Sequence, residues 1–307
     1  MSAETSAAAT FRTLDLRLSR RLQGRLQGDH AGVRLGPGSD PEEVVRYRPG
    51  EDDVRRIDWN VSARSQELHV WRTTADHELD TWVLLDQTAS MEFGTVEIEK
   101  ADLAAQASAA FGLLTDGPGN RLGIARLRDD GVVWSAPLPS RQAAHRVIRS
   151  RERTPDGSGA SARLGDGLTA LESRRRPGLR AIISDLVEPD GRLERPFEWE
   201  HALRRLAARH ETVVVEVVDP RELTLPDVGP VVLLDPETGH RCEVWTSLPR
   251  IRAAYDAAAA AHRREVAEAV RAAGAEHVVL RTDRDWVADL ARFVLRHRQR
   301  SAVRRNR

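Results

Sequence analysis

Short apolar runs alternate with longer amphipathic segments from about residue 77 to the C-terminus, and this alternation most constrains the fold. The apolar runs predict strands at 77–86, 121–127, 131–136, 179–183, 212–218, 230–234, 241–246 and 276–280. The intervening segments predict helices at 96–114, 141–149, 164–174, 199–208, 249–273 and 284–298. Strands that alternate with helices are typical of βαβ units. The sequence therefore predicts an α/β fold with a doubly wound, mostly parallel sheet covered by helices on both faces.

The region before this alternation carries different patterns. Leu14, Leu18, Leu22 and Leu26 recur every fourth residue and predict a helix over 11–26. Alternating residues at 67–72 predict a further strand, which we expect to form a hairpin with the strand at 77–86. The predicted organisation is a tail and helix at 1–27, a β-containing N-terminal extension at 28–80, the main α/β domain at 81–298 and a disordered basic tail at 299–307.

Composition narrows the class of protein. The 307 residues carry 47 basic and 47 acidic side chains, and this balance argues against non-specific binding to nucleic acid. Lys100 is the only lysine, and we attribute the preference for arginine to codon bias without functional weight. A single cysteine allows no intrachain disulfide, so we expect a reducing, cytoplasmic location. We also expect no signal peptide and no membrane span, because no apolar run reaches about 18 residues.

Polar side chains follow two of the predicted strands. Asp86, Thr88 and Ser90 lie on one short loop after the strand at 77–86, and Asp185 follows the strand at 179–183. Carboxylate and hydroxyl oxygens are ligands that Mg²⁺ prefers, and ligands bind at the carboxyl ends of strands in a doubly wound sheet. So few protein ligands would leave room for water or a carboxylate from another protein. Asp and Ser also commonly cap turns and helices, and this alternative stays open.

A longer and rarer motif precedes these strands. Residues 46–64 read Arg-Tyr-Arg-Pro-Gly-Glu-Asp-Asp-Val-Arg-Arg-Ile-Asp-Trp-Asn-Val-Ser-Ala-Arg. This run resembles the hallmark of a bacterial family called domain of unknown function 58, whose members place it before a von Willebrand factor A-like domain. The resemblance covers roughly residues 28–297 and continues at 86–90, 182–186, 212–220, 253–264 and 280–283. It implies an A-type domain with a metal-ion-dependent adhesion site at the top of the sheet.

The resemblance implies which residues hold the metal, Mg²⁺ or Mn²⁺. Carried onto this chain, the ligands are Asp86, Thr88, Ser90 and Asp185. A third loop of the family commonly supplies a threonine, but alignment on the leucines of 164–168 places Ala162 there. Ser161 could substitute only with a one-residue shift, and the charge of Arg163 would disfavour a nearby cation. The resemblance therefore leaves open whether the site binds a metal.

The 46–64 segment has two interpretations. As a structural clamp, it pins the N-terminal extension onto the sheet, with its large aromatic residues Tyr47 and Trp59 mostly buried. As a partner-binding surface, it presents mixed charges and an aromatic ring to another protein. The candidate partner-binding residues are Arg55, Arg56, Asp58, Trp59 and Arg64.

These patterns favour a non-enzymatic protein-interaction module. Family members are typically encoded beside MoxR-type AAA+ ATPases, so the resemblance implies an adaptor or co-chaperone that links such an ATPase to client proteins. Two alternatives remain: a metal-dependent hydrolase that uses the same carboxylates, and a nucleic-acid-associated protein that uses the arginines of 292–307. The sequence has neither a phosphate-binding Gly-x-x-x-x-Gly-Lys loop nor a Gly-x-Ser-x-Gly elbow, which argues against the common enzyme classes.

Overall fold

The computed structural model describes residues 9–18, 43–48, 54, 57–65, 67–72, 79–96, 98–150, 162–234 and 240–305. Predicted residues Leu22, Leu26, Arg55, Arg56 and Ser161 lie outside these ranges. The strands are β1 (Glu43–Arg46), β2 (His69–Arg72), β3 (Asp80–Asp86), β4 (Arg121–Arg128), β5 (Gly131–Pro139), β6 (Gly178–Ser184), β7 (Glu211–Val218), β8 (Pro230–Leu234), β9 (Arg241–Trp245) and β10 (Glu276–Arg281). The helices are α1 (residues 9–18), α2 (Trp59–Ser65), α3 (Lys100–Leu114), α4 (Ser140–Arg149), α5 (Leu164–Glu172), α6 (Trp199–Ala207), α7 (Pro249–Ala272) and α8 (Trp286–Arg305).

A six-stranded sheet in the order β10-β7-β6-β3-β4-β5 forms the centre of the protein. All neighbouring strands run parallel except β5, which pairs antiparallel with β4. The central strands β3, β6 and β7 are buried along nearly their whole length. Continuous apolar runs of this kind are typical of parallel strands that are covered on both faces. The predicted doubly wound, mostly parallel α/β fold is confirmed.

Two hydrophobic cores lie on opposite faces of this sheet. Alternate side chains of β3 enter different cores: Val83 and Leu85 pack into the first, and Trp82 and Leu84 into the second. The first core also receives apolar residues from α1, α3, α4 and α8. The second receives them from α5, α6 and α7. Because the sheet is shared, the loops at its carboxyl edge are held between two packed layers.

The N-terminal extension departs from the predicted pairing. β2 pairs antiparallel with β1, and the isolated bridge between Ile57 and Val70 adds the segment before α2 to this small sheet. The predicted hairpin between residues 67–72 and 77–86 is therefore wrong, since β3 pairs with β4 and β6 instead. Local alternation indicates a strand but does not encode which strand it meets.

The chain also contains a separate hairpin and a long final helix. β8 and β9 form a separate two-stranded antiparallel hairpin between β7 and α7. Helix α8 continues to Arg305, through residues for which the sequence predicted a disordered basic tail. Within the described part of the chain, every helix lacks the combination of length and hydrophobicity that crossing a bilayer requires.

Candidate functional site

The carboxyl ends of three neighbouring parallel strands bring acidic residues to one edge of the sheet. Asp86 is the last residue of β3, Asp185 follows β6, and Asp219 follows β7. The register places Leu85 opposite Ile183 and Ser184 opposite Glu216, so β3 and β6 end at the same level and β7 continues to Val218. We call the polar residues at this edge the carboxyl-edge cluster: Asp86, Thr88, Ser90, Lys100, Ser184, Asp185, Asp219 and Glu222.

The Asp86 loop folds back on its own carboxylate. Asp86 Oδ1 accepts hydrogen bonds from the backbone N–H of Thr88 at 3.0 Å and from Thr88 Oγ1 at 2.7 Å. Asp86 Oδ2 accepts one from Ser184 Oγ at 2.6 Å. The hydroxyls of Thr88 and Ser90 lie 3.3 Å apart at the start of the 3-10 turn Ala89–Glu92. The structure thus brings together Asp86, Thr88 and Ser90 as predicted, and all three are buried.

Asp185 lies beside this loop and is also fully engaged. Its Oδ1 accepts a hydrogen bond from the backbone N–H of Val187 at 3.2 Å, and its carboxylate accepts another from the Ser90 side chain. Leu186, the next residue, has φ 59° although it is not glycine, and it is buried. A large side chain in the left-handed region is strained, and such strain clusters at functional sites. The fourth predicted ligand therefore joins the other three at a strained turn.

Sequence reasoning missed Lys100, the first residue of α3. Its ammonium donates to Asp185 Oδ2 at 2.8 Å and to Glu222 Oε1 at 2.5 Å, and its side chain is 1% exposed. The backbone N–H of Lys100 donates to the Phe93 carbonyl, which fixes the start of the helix against the Asp86 loop. The one signal available was the presence of a single lysine in a chain that otherwise uses arginine.

Asp219 and Glu222 are further acids that the sequence analysis did not identify. They form a capping box around the 3-10 turn Pro220–Glu222, in which each side chain accepts a backbone N–H. Asp219 also accepts hydrogen bonds from the N–H and hydroxyl of Thr95 and from the hydroxyl of Thr282. Thr95 precedes α3 and Thr282 follows β10, so Asp219 ties two neighbouring loops to the end of β7.

Burial and mutual repulsion control the charges of the two central acids. Burial and the nearby Asp185 carboxylate raise the pKa of Asp86 to about 6, although hydrogen bonds from Ser184 and Thr88 lower it. Burial opposes ionisation of Asp185 as well, but the Lys100 ammonium outweighs it and lowers the pKa of Asp185. Burial by itself would lower the pKa of Lys100, but attraction to Asp185 and Glu222 outweighs this effect and raises it. Lys100 and Asp185 are therefore a charged pair.

These residues, as arranged, do not fit a divalent cation. Both oxygens of Asp86 and both of Asp185 accept hydrogen bonds from within the chain, and an ammonium occupies the Asp185 side. Among the described residues, no group of three His, Cys, Asp or Glu side chains is arranged to hold a metal. A bound Mg²⁺ or Mn²⁺ remains a prediction, and it would require the ammonium of Lys100 to leave Asp185.

The third loop contributes little to this cluster. Ser161 lies outside the described residues, and Ala162 has no ligating side chain. Arg163 forms an ion pair with Glu198, with its Nη1 atom 2.9 and 2.7 Å from the two carboxylate oxygens. Its charge is thus paired with Glu198, the residue that precedes α6.

The 46–64 segment exposes its tryptophan. Trp59 is the first residue of α2 and is 67% exposed, whereas the clamp interpretation expected it to be mostly buried. Asp58 caps this helix by accepting the N–H groups of Asn60 at 2.9 Å and Val61 at 3.1 Å. Arg64 is exposed on the same helix, and Tyr47 is half-buried just after β1, where its backbone N–H donates to the Leu68 carbonyl. The burial that the clamp interpretation expected of Trp59 is therefore wrong, since the first turn of α2 leaves its side chain at the surface.

Comparison with known families gives the same family as the 46–64 motif. A family model described as "Protein of unknown function DUF58" matches residues 43–265. The chain belongs to the DUF58 family. The DUF58 match begins at β1 and ends within α7, and it includes the 46–64 segment, the Asp86 loop, Lys100 and Asp185.

Curated mycobacterial proteins are similar to this chain over half or more of its length. An uncharacterized protein of Mycobacterium tuberculosis is 45% identical over 296 residues, which cover 95% of this chain and 90% of the relative. An uncharacterized protein of Mycobacterium avium is 42% identical over 176 residues, or 54% of this chain and 96% of the relative.

Solved structures give more distant likenesses. The von Willebrand factor A domain of SpRpn10 has a TM-score of 0.37 and 14% identity, covering 69% of this chain and 93% of that one. Proximal thread matrix protein 1 from the mussel byssus has a TM-score of 0.34 and 13% identity over 46% of this chain, which spans 38% of the mussel protein.

Proposed function

We propose that this DUF58 protein is a non-enzymatic, cytoplasmic adaptor or co-chaperone that links a MoxR-type AAA+ ATPase to client proteins. The ATPase as partner comes from the family resemblance. The observation that carries a docking role is the exposure of Trp59 within the segment that is the hallmark of the family.

An exposed tryptophan at this place favours an interface. Tryptophan is enriched in protein–protein interfaces and dominates their energetics, because one side chain covers a large apolar area. Burying about 100 Å² of additional apolar surface at Trp59 would contribute about 2.5 kcal/mol to binding. Val54 and Leu68, in the same N-terminal extension, are 58% and 43% exposed. The extension therefore offers a partner several apolar side chains beside charged ones such as Arg64.

The carboxyl-edge cluster is the second part of the proposed docking surface. Its acids are buried, but the apolar side chains of Phe93 and Val187 beside it are each 40% exposed. Phe93 follows the Asp86 loop, and Val187 donates its backbone N–H to Asp185. The hydrogen bonds of the cluster thus hold two apolar side chains at the surface in a defined position, which suits recognition of another protein.

Binding to the purified ATPase tests the role of Trp59. We expect Trp59→Ala to weaken the Kd of the MoxR-type ATPase by tenfold or more, because it removes an apolar contact from the interface. Trp245→Ala is the matched control: Trp245 is 57% exposed on the separate β8–β9 hairpin, and its removal should leave the Kd unchanged. Calorimetry or interferometry measures both values.

The outcomes separate the parts of the proposal. No binding of the unchanged protein would refute the ATPase as partner. Equal binding by Trp59→Ala and the unchanged protein would exclude the 46–64 segment as a docking surface. Val187→Asp tests the carboxyl edge in the same assay, since a charge placed among the exposed apolar side chains should weaken an apolar contact there.

The two alternatives remain predictions. A hydrolase would need a base beside Asp86, and a nucleic-acid-associated protein would need the arginines of 292–307 to face a phosphate backbone. No contact among the described residues specifically favours either one.

A further inference from the structure

We propose that the Lys100 ammonium takes the place of a divalent cation in the carboxyl-edge cluster, so that this edge assembles without a metal. The proposal concerns how the buried carboxylates are neutralised and stands whether or not an ATPase binds. Only its consequence for docking rests on the proposed function.

The position of the ammonium carries the argument. Lys100 Nζ lies 2.8 Å from Asp185 Oδ2 and 2.5 Å from Glu222 Oε1, and it joins the ends of β6 and β7 through these two acids. Asp185 is the residue at which the family resemblance placed a metal ligand. The carboxylate that would have bound the metal is therefore already bound to a cation that belongs to the chain.

Lys100 and Asp185 form a buried ion pair. Lys100 and Asp185 are each 1% exposed, and Glu222 is 20% exposed. Unpaired charges are costly to bury, so both members must be present together for the edge to form. The backbone N–H of Lys100 is held by the Phe93 carbonyl, and the Ser90 side chain completes the contacts of Asp185. Removal of the ammonium would take away the cation that contacts both Asp185 and Glu222 directly.

Lysine has the properties that this place requires. Its ammonium is a compact point charge with three donors on a flexible stem, whereas the arginine guanidinium is planar and larger. Every other permanently charged basic side chain in this protein is arginine, and the one lysine occupies this enclosed position. A compact ammonium suits the short distances to the Asp185 and Glu222 carboxylates.

A metal and the ammonium could not share the cluster. Mg²⁺ demands oxygen ligands at about 2.1 Å in near-octahedral geometry, and a Mg²⁺ on Asp185 would face the ammonium at short range. The Asp86 carboxylate is already held by the chain, because its two oxygens accept three hydrogen bonds from Thr88 and Ser184. If the ammonium is the cation of this edge, docking there does not depend on a metal.

Metal titration of the whole protein tests the assignment. We expect calorimetry with MgCl₂ and MnCl₂ to give no saturable heat in the millimolar range, and EDTA to leave the Tm unchanged. Lys100→Met keeps an unbranched side chain that is one atom shorter and removes the charge. This variant should lose several degrees of Tm and recover part of that loss in MnCl₂, because the freed carboxylates then attract the metal.

Arg180→Met is the matched control. Arg180 is another buried cation, and it pairs with Asp80 at the opposite end of β3 from Asp86. Its variant should lose Tm without recovery in MnCl₂. Equal recovery of both variants would overturn the proposal, as would no recovery of Lys100→Met.

Metal titration and Tm measurements on the unchanged protein test the proposal even if Lys100→Met fails to fold. Saturable Mg²⁺ or Mn²⁺ heat that disappears in Asp86→Ala, or a Tm that falls in EDTA, would overturn the proposal. ATPase binding that persists in EDTA would support metal-free docking, and binding lost in EDTA would contradict it. Absence of ATPase binding under every condition would count against the proposed function alone, because the titration needs no partner.

Discussion

Gly178, at the start of β6, illustrates how little space single residues have where the central strands meet. A Cβ atom at this position would lie 2.0 Å from the Asp80 carbonyl oxygen of the paired strand β3. Because the obstructing atom is backbone, only a shift of the strands could relieve the contact. We expect Gly178→Ala to lower the free energy of unfolding by about 3 kcal/mol in urea denaturation.

Gly165 supplies the control for this substitution. It lies in α5, and the nearest atom to an added Cβ is the Glu198 carbonyl oxygen at 3.6 Å, an ordinary contact. Gly165→Ala should be neutral or stabilise the protein by about 0.5–1 kcal/mol, since alanine favours helices. Equal effects at the two glycines would contradict the steric argument.

His210 gives the protein a predicted dependence on pH. Burial and the nearby Arg180 guanidinium lower its pKa from 6.5 to about 4. The folded protein therefore holds this histidine neutral, and the unfolded chain takes up its proton first as the pH falls. The contribution of His210 to stability is complete above about pH 6.5 and is lost progressively towards pH 4.

Thermal unfolding between pH 7 and pH 4.5 measures this contribution. His210→Gln should lose less Tm over this interval than the unchanged protein, because the substituted side chain does not take up a proton. His201→Gln, at an exposed position on α6, should follow the unchanged protein. Parallel curves for all three proteins would show that other groups cause the pH dependence.

The residues of the candidate site were predictable to different degrees. Asp86, Thr88, Ser90 and Asp185 follow apolar strands, so the local pattern and the family motif both identified them. Lys100 was not identified, because its partners Asp185 and Glu222 lie 85 and 122 residues away in the sequence. No local pattern reports a contact of that separation. The sequence-based interpretation expected a metal ion beside Asp185. In the structure, the cation beside Asp185 is the Lys100 ammonium.

Helix α1 shows that an element before the main domain can belong to its core. Phe11, Leu14 and Leu18 pack into the first hydrophobic core, and Arg17 forms an ion pair with Asp285 at 2.6 Å. The leucine periodicity predicted the helix, but the packing partner came only from the structure. A segment assigned from sequence as a tail and helix is thus part of the packed α/β layer.

Two leucines on α1 allow a matched test of this packing. Leu14 is 3% exposed and Leu16 is 57% exposed. We expect Leu14→Ala to lower the free energy of unfolding by about 2–4 kcal/mol, because it removes buried methyl groups and leaves a cavity. Leu16→Ala should change it by less than about 0.5 kcal/mol. A small effect at both positions in urea denaturation would show that α1 does not contribute to the folded core.

The whole molecule consists of a packed body, formed by the six-stranded sheet and the helices on both its faces, and of surface elements attached to this body. The mostly parallel direction of the strands follows from the βαβ alternation, so this body was the most predictable part, whereas the strand order came from the structure. The partner of β2 was not, because pairing of short strands depends on contacts far apart in sequence. The surface elements, the N-terminal extension and the β8–β9 hairpin, are where the most exposed tryptophans lie.

The β8–β9 hairpin should be dispensable for folding. Its strands form a sheet of their own, and neither hydrophobic core includes a residue from it. Val232 and Leu234 are 63% and 55% exposed, so their removal sacrifices little buried apolar area. Pro230 and Trp245 are paired across the two strands, which places their backbones close enough to be joined by a two-residue turn.

Replacement of residues 231–244 by Asn-Gly tests this division of the molecule. We expect the shortened protein to unfold cooperatively, with a free energy of unfolding within about 1 kcal/mol of the full chain, because the packed layers on both faces of the six-stranded sheet remain intact. Leu203→Ala, at a position 1% exposed in the second core, should lower it by more than about 2 kcal/mol and shows that the urea assay is sensitive. A loss as large in the shortened protein would mean that the hairpin supports the α/β body, since an isolated two-stranded hairpin is only marginally stable by itself.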